Sequence, residues 1–202
     1  MTTDAAYFSR LYAASDDPWG FRSRWYEARK FALTLAALSR QRYRRAFDAG
    51  CSNGELTRGL AGRCDALHAC DLSPRAVALA RERLDDLPQV EVRQRELPRE
   101  FPEGRFDLIV ISELGYFLPR CDLNRLVTLS IGALEADGEI VLCHWRRRIA
   151  EAPQDGAAVH ACFAQAAGGT LCRRSVVDDT DFLLEVWAPP STPWVAEREG
   201  LR

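Results

Sequence analysis

Lysine is almost absent from this 202-residue chain, in which Lys30 is the only lysine among 27 lysine and arginine residues. Such a preference for arginine over lysine is typical of a biased nucleotide composition in the gene, and we attach no function to it. The formal net charge is −2, so no overall basic field indicates a nucleic-acid or anionic-membrane partner. The chain lacks any apolar run near the roughly 20 residues of a membrane helix, and residues 1–10 lack the apolar centre of a signal peptide. We therefore expect a cytoplasmic protein with neither nucleic acid nor membrane as a partner.

The sequence also lacks a Cys-x-x-Cys pair, and its seven cysteines are odd in number. Neither a disulfide framework nor a zinc knuckle is indicated, which fits a reducing compartment. His68, His160 and Cys162 have no metal-ligand neighbours in the sequence, so we expect no metal site. With 47% hydrophobic and 28% charged residues, the composition is typical of one folded domain and excludes a mostly disordered chain.

The order of apolar patterns predicts an α/β fold. Residues of about 7–38 have helical periodicity, interrupted by the break at 17–20. After residue 45, short apolar runs alternate with amphipathic stretches, as in successive βα units with a largely parallel, doubly wound sheet. The predicted strands are 46–49, 66–70, 90–93, 106–111 and 139–144, and the predicted helices are 55–61, 73–84, 122–135 and 157–166.

Two further runs close to each other, 170–177 and 182–187, predict an antiparallel hairpin. We divide the single folded unit into an N-terminal helical cap (1–43), a core (44–188) and a surface tail (189–202).

The turn after the first predicted strand carries the densest functional signal. Gly50 and Gly54 flank a sharp strand-to-helix turn at which the backbone can approach a ligand, although an ordinary turn can also contain two glycines. The spacing fails the dinucleotide pattern G-x-G-x-x-G, because Ser52 occupies the position of the second glycine. Asp48, just before the turn, suits an amine or sulfonium cation better than a pyrophosphate. A nicotinamide oxidoreductase is therefore the weakest of the enzyme classes that we consider.

Asp71 ends the second predicted strand and precedes Leu72, Ser73 and Pro74. An acid at the end of the neighbouring strand can accept both hydroxyls of a ribose. The alternative is that Asp71 or Ser73 only caps the next helix, with Pro74 in its first turn. We favour ribose binding because the position relative to Gly50 matches adjacent strands.

These motifs resemble the class I S-adenosylmethionine-dependent methyltransferases, over residues 44–187. The resemblance implies a Rossmann-like seven-stranded sheet with an antiparallel last strand, and S-adenosylmethionine as cofactor. It also implies that Glu96 and Leu97 flank the adenine. Together with the cap hypothesis below, the expected cofactor-binding residues are Trp19, Arg24, Asp48, Gly50, Cys51, Ser52, Asn53, Gly54, Asp71, Leu72, Ser73, Glu96, Leu97, Ser112 and Glu113.

More closely, the chain is similar to the NodS-like group. The similarity lies in the segments Asp17-Pro18-Trp19, Trp25-Tyr26-Glu27, 50–54, 112–116 and His144-Trp145-Arg146. It implies N-methylation of a free amino sugar on a chitooligosaccharide, or of another small amine. O-methylation of a small molecule or sugar, and cofactor binding without catalysis, remain alternatives. The sequence does not indicate an oligomeric state.

Three residues at predicted strand ends are candidates for catalysis. Glu113 and His144 can accept a proton from an acceptor amine, and Tyr116 can present a flat face to the acceptor. Glu113 is equally suited to cofactor binding, and His144 to a structural bond with the backbone. In the cap, Trp19 and one arginine, Arg24 or Arg29, are expected to fold over the cofactor, with the arginine meeting its carboxylate. The alternative is that these arginines are solvated charges on the surface of a helix.

Overall fold

The computed structural model describes residues 5–201. Residues 1–4 of the predicted cap and residue 202 of the predicted tail lie outside this range. The helices are α1 Ala5–Ala14, α2 Trp25–Ala37, α3 Glu55–Ala61, α4 Pro74–Arg83, α5 Arg120–Gly132, α6 Gly156–Ala167 and α7 Val195–Arg198. The strands are β1 Tyr43–Ala49, β2 Cys64–Asp71, β3 Val90–Gln94, β4 Phe106–Ser112, β5 Leu134–Trp145, β6 Cys172–Asp178 and β7 Phe182–Ala188.

The strands form one seven-stranded sheet in the order β3-β2-β1-β4-β5-β7-β6. The first five strands in the chain pair in parallel, whereas β7 lies between β5 and β6 and is antiparallel to both. The seven-stranded α/β sheet with its antiparallel last strand is therefore confirmed. The strand order reverses at β1 and β4, where ligands bind in open α/β sheets.

Apolar side chains alternate between the two faces of the central strands and bury both of them. Phe47 and Ile109 pack on the same side as α5 and α6. Ala46 and Leu108 pack on the opposite side, with α3 and part of α2. Helices therefore cover both faces of the sheet, as the doubly wound prediction requires.

Helix and strand limits differ from the predictions mainly around α5 and β5. The predicted helix 122–135 begins and ends earlier, because Leu134 pairs with Phe106 and already belongs to β5. The predicted strand 139–144 is therefore part of a longer strand, with a register shift between Phe106 and Leu108. The predicted tail contains the short helix α7, which the sequence analysis missed.

The N-terminal helical segment is confirmed as α1 and α2, joined by residues 15–24. We call residues 5–37 the cap. Its first helix packs through Tyr7 and Phe8 against Phe117, and its second through Arg29, which pairs with Asp179 at 2.7 Å. The cap therefore reaches from the segment after β4 to the hairpin between β6 and β7.

Candidate functional site

A cavity of about 660 Å³ lies between the cap and the carboxyl ends of the central parallel strands. Its volume is within the range of roughly 300–1,000 Å³ that is usual for ligand pockets. Residues from the ends of β1, β2 and β4 line it, and aromatic side chains of the cap cover it. The topology therefore gathers the predicted motifs at one edge of the sheet.

The turn after β1, residues 50–54, is held close to the neighbouring strand. The amides of Gly50 and Cys51 both donate to the Cys70 carbonyl, at 2.9 and 2.8 Å. Gly50 has φ +81°, and a Cβ there would lie 3.3 Å from the Leu114 side chain. Ser52 also adopts a positive φ, of 51°. The turn is thus a tight backbone surface on the cavity wall, and glycine is required at its first position.

Asp71 holds this turn against the end of β2. One carboxylate oxygen accepts the Ser52 amide and the other accepts the Ser73 amide, both at 2.9 Å. Burial raises the pKa of Asp71, and these backbone donors oppose the increase. The carboxylate lines the cavity and keeps lone pairs that can accept hydroxyl groups.

Asp48 lies deeper, where Thr57 Oγ1 donates to its carboxylate at 2.7 Å. The side chain is buried, and its desolvation raises the pKa to about 6. The charge of Asp71 acts in the same direction, and the Thr57 hydrogen bond opposes it. Asp48 is therefore a carboxylate that a neighbouring cation would stabilise in its ionised form.

Glu113, which also lines the cavity, follows β4 with a positive φ of 55°. The Lys30 ammonium lies 2.9 Å from Glu113 Oε1 and 2.8 Å from Glu27 Oε2. The Tyr116 hydroxyl donates to Glu113 Oε2. We call Glu27, Lys30, Glu113 and Tyr116 the acceptor cluster. It combines two carboxylates with one buried ammonium.

Several contacts fasten the cap over the turn. The Tyr12 hydroxyl lies 2.6 Å from Ser52 Oγ, and the Asn53 amide donates to Asp17 Oδ1 at 3.2 Å. On the surface, Arg75 makes a forked pair with Asp16. These contacts place the connection between α1 and α2 across the mouth of the turn.

Comparison with known proteins agrees with this architecture. The family model described as Nodulation protein S (NodS) matches residues 7–167. The chain belongs to the NodS family. Nodulation protein S of Sinorhizobium fredii (strain NBRC 101917 / NGR234) is 30% identical over 106 residues, which are 52% of this chain and 49% of that protein. The chain thus matches about half the length of these curated NodS relatives.

Two crystal structures extend the comparison. A Pseudomonas syringae protein is 49% identical, with a TM-score of 0.71, over 81% of this chain and 99% of the other. The N-methyltransferase NodS of Bradyrhizobium japonicum WM9, in complex with S-adenosyl-l-homocysteine, has a TM-score of 0.83 at 22% identity. That match covers 95% of this chain and 100% of the other, and it shows a shared fold.

In this NodS-family chain, most of the residues predicted from sequence meet at the cavity. Those that line it are Trp19, Arg24, Asp48, Gly50, Cys51, Ser52, Asp71, Leu72, Leu97, Ser112, Glu113 and Tyr116. Of the two cap arginines, Arg24 is thus at the cavity, whereas Arg29 pairs with Asp179.

Four predicted cofactor-binding residues do not line this cavity. The position at which Gly54 lacks a side chain faces Ala80 of α4 and Leu84 just after this helix, so this glycine permits helix packing. Ser73 caps α4 by accepting the Ala76 amide, which confirms the capping interpretation for this residue. Asn53 donates to the cap, and Glu96 pairs with Arg99 at 3.1 Å.

His144 is also outside the cavity lining, which corrects its interpretation as a candidate base. It is completely buried, and its Nε2 accepts the Gly115 amide at 3.2 Å. Its Nδ1 lies 3.2 Å from His160 Nε2, and His160 Nδ1 lies 2.9 Å from Glu185 Oε2. Burial and the neighbouring His160 lower the pKa of His144 well below its usual value. The residue is a neutral support behind the segment that carries Glu113.

Lys30 and Glu27 were not among the site residues predicted from the sequence. Their helix was predicted, but the direction of its polar face depends on how the cap packs. The sequence carried one signal for Lys30, which is that lysine is otherwise absent. In the structure, this single lysine is 2% exposed.

Within residues 5–201, no helix is long and apolar enough to cross a bilayer. In the same range, no three His, Cys, Asp or Glu side chains are grouped to hold a metal ion.

Proposed function

We propose that this chain is an S-adenosylmethionine-dependent methyltransferase that acts on nitrogen in a small-molecule acceptor. The observation that carries the proposal is that Asp71, the glycine-containing turn and Glu113 line one and the same cavity. Family membership supports it, as does the shared fold with a NodS that is named an N-methyltransferase.

The residues present fit the cofactor. The Asp71 carboxylate, held by two backbone amides, has lone pairs for ribose hydroxyls. Leu72 and Leu97 offer apolar walls for an adenine. Asp48 and Arg24 provide opposite charges for the amino and carboxylate groups of the methionine part. The missing Cβ of Gly50, beside Leu114, keeps the backbone of the turn close to the cavity.

When bound, S-adenosylmethionine supplies a methyl group on a sulfonium sulfur. The enzyme then has to align the acceptor in line with that methyl group and to exclude water. The cap aromatics Trp19 and Phe21, stacked with centroids 5.5 Å apart, cover the cavity and serve the second task.

Glu113 is the residue that we assign to proton transfer. A basic amine is largely an ammonium ion at neutral pH, so one proton has to leave before the lone pair can attack, and the Glu113 carboxylate accepts that proton. The lone pair forms the new N–C bond, and the electrons of the broken C–S bond stay on sulfur. Tyr116 orients this carboxylate by donating to Oε2 and adds a flat wall to the cavity.

For the acceptor, we propose a small amine or amino sugar, such as a chitooligosaccharide with one free amino group. The cavity offers Tyr116 and Trp145 as flat faces for a sugar ring. Two carboxylates at the acceptor cluster favour a basic nitrogen over a neutral hydroxyl group.

Calorimetry with S-adenosylhomocysteine tests the cofactor assignment, with NAD and the Asp71→Ala variant as controls. We expect micromolar binding of S-adenosylhomocysteine alone, lost in the variant. Tighter binding of NAD, or no binding of S-adenosylhomocysteine, would overturn the proposal.

Transfer of a labelled methyl group tests the acceptor. Chitotetraose with one free amino group is compared with fully N-acetylated chitotetraose and with a simple alkylamine. Label on the first or third compound supports nitrogen as the acceptor atom. Label on the fully acetylated sugar would indicate O-methylation, and cofactor binding without transfer to any of the three would favour a binding protein.

A further inference from the structure

The only lysine of the chain lies on the inner side of α2, at the base of the acceptor cluster. Its side chain is 2% exposed. Three aromatic rings surround the ammonium, with Tyr26 at 5.0 Å, Phe31 at 5.8 Å and Phe21 at 6.0 Å from Nζ. A charge this buried requires partners of opposite charge. The Lys30 ammonium has two, the carboxylates of Glu27 and Glu113.

The charges around Lys30 do not balance. Glu27 and Glu113 carry two negative charges against one ammonium within 3 Å of both. Burial raises the pKa of Glu27, and the charges of Lys30 and of Arg24, which lies just before α2, oppose that increase. The other titratable neighbours are Tyr26, Tyr116, Cys143 and His144, for which burial favours the neutral form. The two carboxylates therefore depend mainly on Lys30 for compensation.

We propose that Lys30 is a positioning residue, an inference that rests on the proposed methyl transfer. Lys30 keeps Glu113 ionised and directed at the acceptor, and the ion pair with Glu27 holds the Lys30 side chain in place. Glu113 contacts the ammonium through Oε1 and the Tyr116 hydroxyl through Oε2, so both of its oxygens are fixed. Without the ammonium, this partly buried carboxylate would lie near Glu27 with no compensating charge and would take up a proton more readily. A protonated Glu113 cannot accept the proton of an amine.

The identity of the cation is part of the inference. Lysine presents a compact charge with three donors, whereas the guanidinium of arginine is a planar fork. Here one nitrogen has to reach two carboxylates on different elements, α2 and the segment after β4. This geometry suits an ammonium, in a chain that otherwise uses arginine.

Carboxyl ¹³C NMR of glutamate-labelled protein, saturated with S-adenosylhomocysteine, tests the inference without an acceptor. The Glu113 resonance is assigned from the spectrum of Glu113→Gln, and its titration midpoint is measured in each variant. We expect Lys30→Met to raise the midpoint by about one pH unit or more, since an opposite charge at this distance lowers a carboxyl pKa by about 1–3.

Two further variants make the result specific. The double variant Glu27→Gln/Lys30→Met removes the like charge as well, so it should return the Glu113 midpoint at least halfway to that of the unmodified protein. It also keeps the test available if Lys30→Met alone does not fold. Arg29→Met removes a cation from the same helix that pairs with Asp179, and it should leave the midpoint unchanged.

An unchanged Glu113 midpoint in both Lys30 variants would overturn the inference, and so would an equal shift in Arg29→Met. The same samples separate this failure from that of the proposed function. If the shift is found in a protein that does not bind S-adenosylhomocysteine, the link between Lys30 and methyl transfer is overturned.

Discussion

The hydroxyl groups of Tyr12 and Ser52 lie 2.6 Å apart and join the first cap helix to the turn after β1. Tyr12 is buried, and Ser52 has a positive φ of 51°. Residues other than glycine pay roughly 1–2 kcal/mol for this left-handed conformation. The same serine therefore combines backbone strain with a hydrogen bond that holds the cap.

Substitutions at Ser52 should separate these two effects. Ser52→Gly loses the hydrogen bond and relieves the strain, whereas Ser52→Ala loses the bond and keeps the strain. We expect Ser52→Ala to have a free energy of unfolding about 1 kcal/mol below that of Ser52→Gly. Urea denaturation measures this difference. Tyr12→Phe removes the bond without touching the turn and is the control, and equal stability of the two Ser52 variants would contradict a strained turn.

Binding of S-adenosylhomocysteine should weaken in acid because of Asp48. Burial raises the pKa of this carboxyl group to about 6, and only its ionised form attracts the amino group of the ligand. Affinity should therefore be full above pH 7 and fall as the pH drops through about 6. Calorimetry at a series of pH values should show a weaker pH dependence for Asp48→Asn. An identical pH dependence in both proteins would exclude Asp48 as the group responsible.

Gly115 should not tolerate a methyl group. A Cβ there would lie 2.6 Å from Val159 Cγ1 and 3.1 Å from His144 Nε2, in the packed region behind Glu113. We expect Gly115→Ala to lower the free energy of unfolding by about 1–3 kcal/mol, as overpacking usually does. The matched control is Gly132→Ala at the end of α5, where nothing lies within 4 Å of the added atom. Thermal or urea unfolding of the two variants gives the comparison.

Stability should fall in mild acid because His144 stays neutral in the fold. Its pKa is lowered well below 6.5, so below that pH the unfolded chain binds a proton that the folded chain does not. The loss reaches up to about 2 kcal/mol between pH 7 and pH 5, at 1.36 kcal/mol per pH unit. Asp48 acts in the opposite direction, because its raised pKa makes the folded chain the better proton acceptor between about 4 and 6.

Comparing the free energies of unfolding of the unmodified protein and of His144→Gln separates the contribution of His144 from that of Asp48. His144→Gln has no proton to gain in this range, while Asp48 titrates in both proteins. We expect the free energy of unfolding of the unmodified protein to fall more steeply than that of His144→Gln from pH 7 to pH 5. Parallel curves would contradict the assignment.

Local patterns predicted most of the fold because each strand is a short apolar run with its own turn signals. The hairpin formed by β6 and β7 was visible for the same reason. The limits of α5 were less accurate, since Leu134 leaves the helix only to pair with Phe106, a contact that the local sequence does not reveal.

The residues of the candidate site likewise differ in whether the local sequence predicts their roles. Residues at strand ends, such as Asp71 and Glu113, could be found because topology alone brings them to one edge. The roles of Lys30 and His144 depend on side-chain direction. Lys30 approaches from a helix 83 positions before Glu113, and His144 points to His160 instead of the cavity.

The two ends of the cap differ in their access to solvent. The forked pair of Arg75 with Asp16, near α1, joins two half-exposed side chains, whereas the Lys30 pairs under α2 are buried. Dissolved ions screen exposed charges strongly and buried ones weakly. Added salt should therefore weaken the Arg75–Asp16 pair much more than the contacts of the Lys30 ammonium.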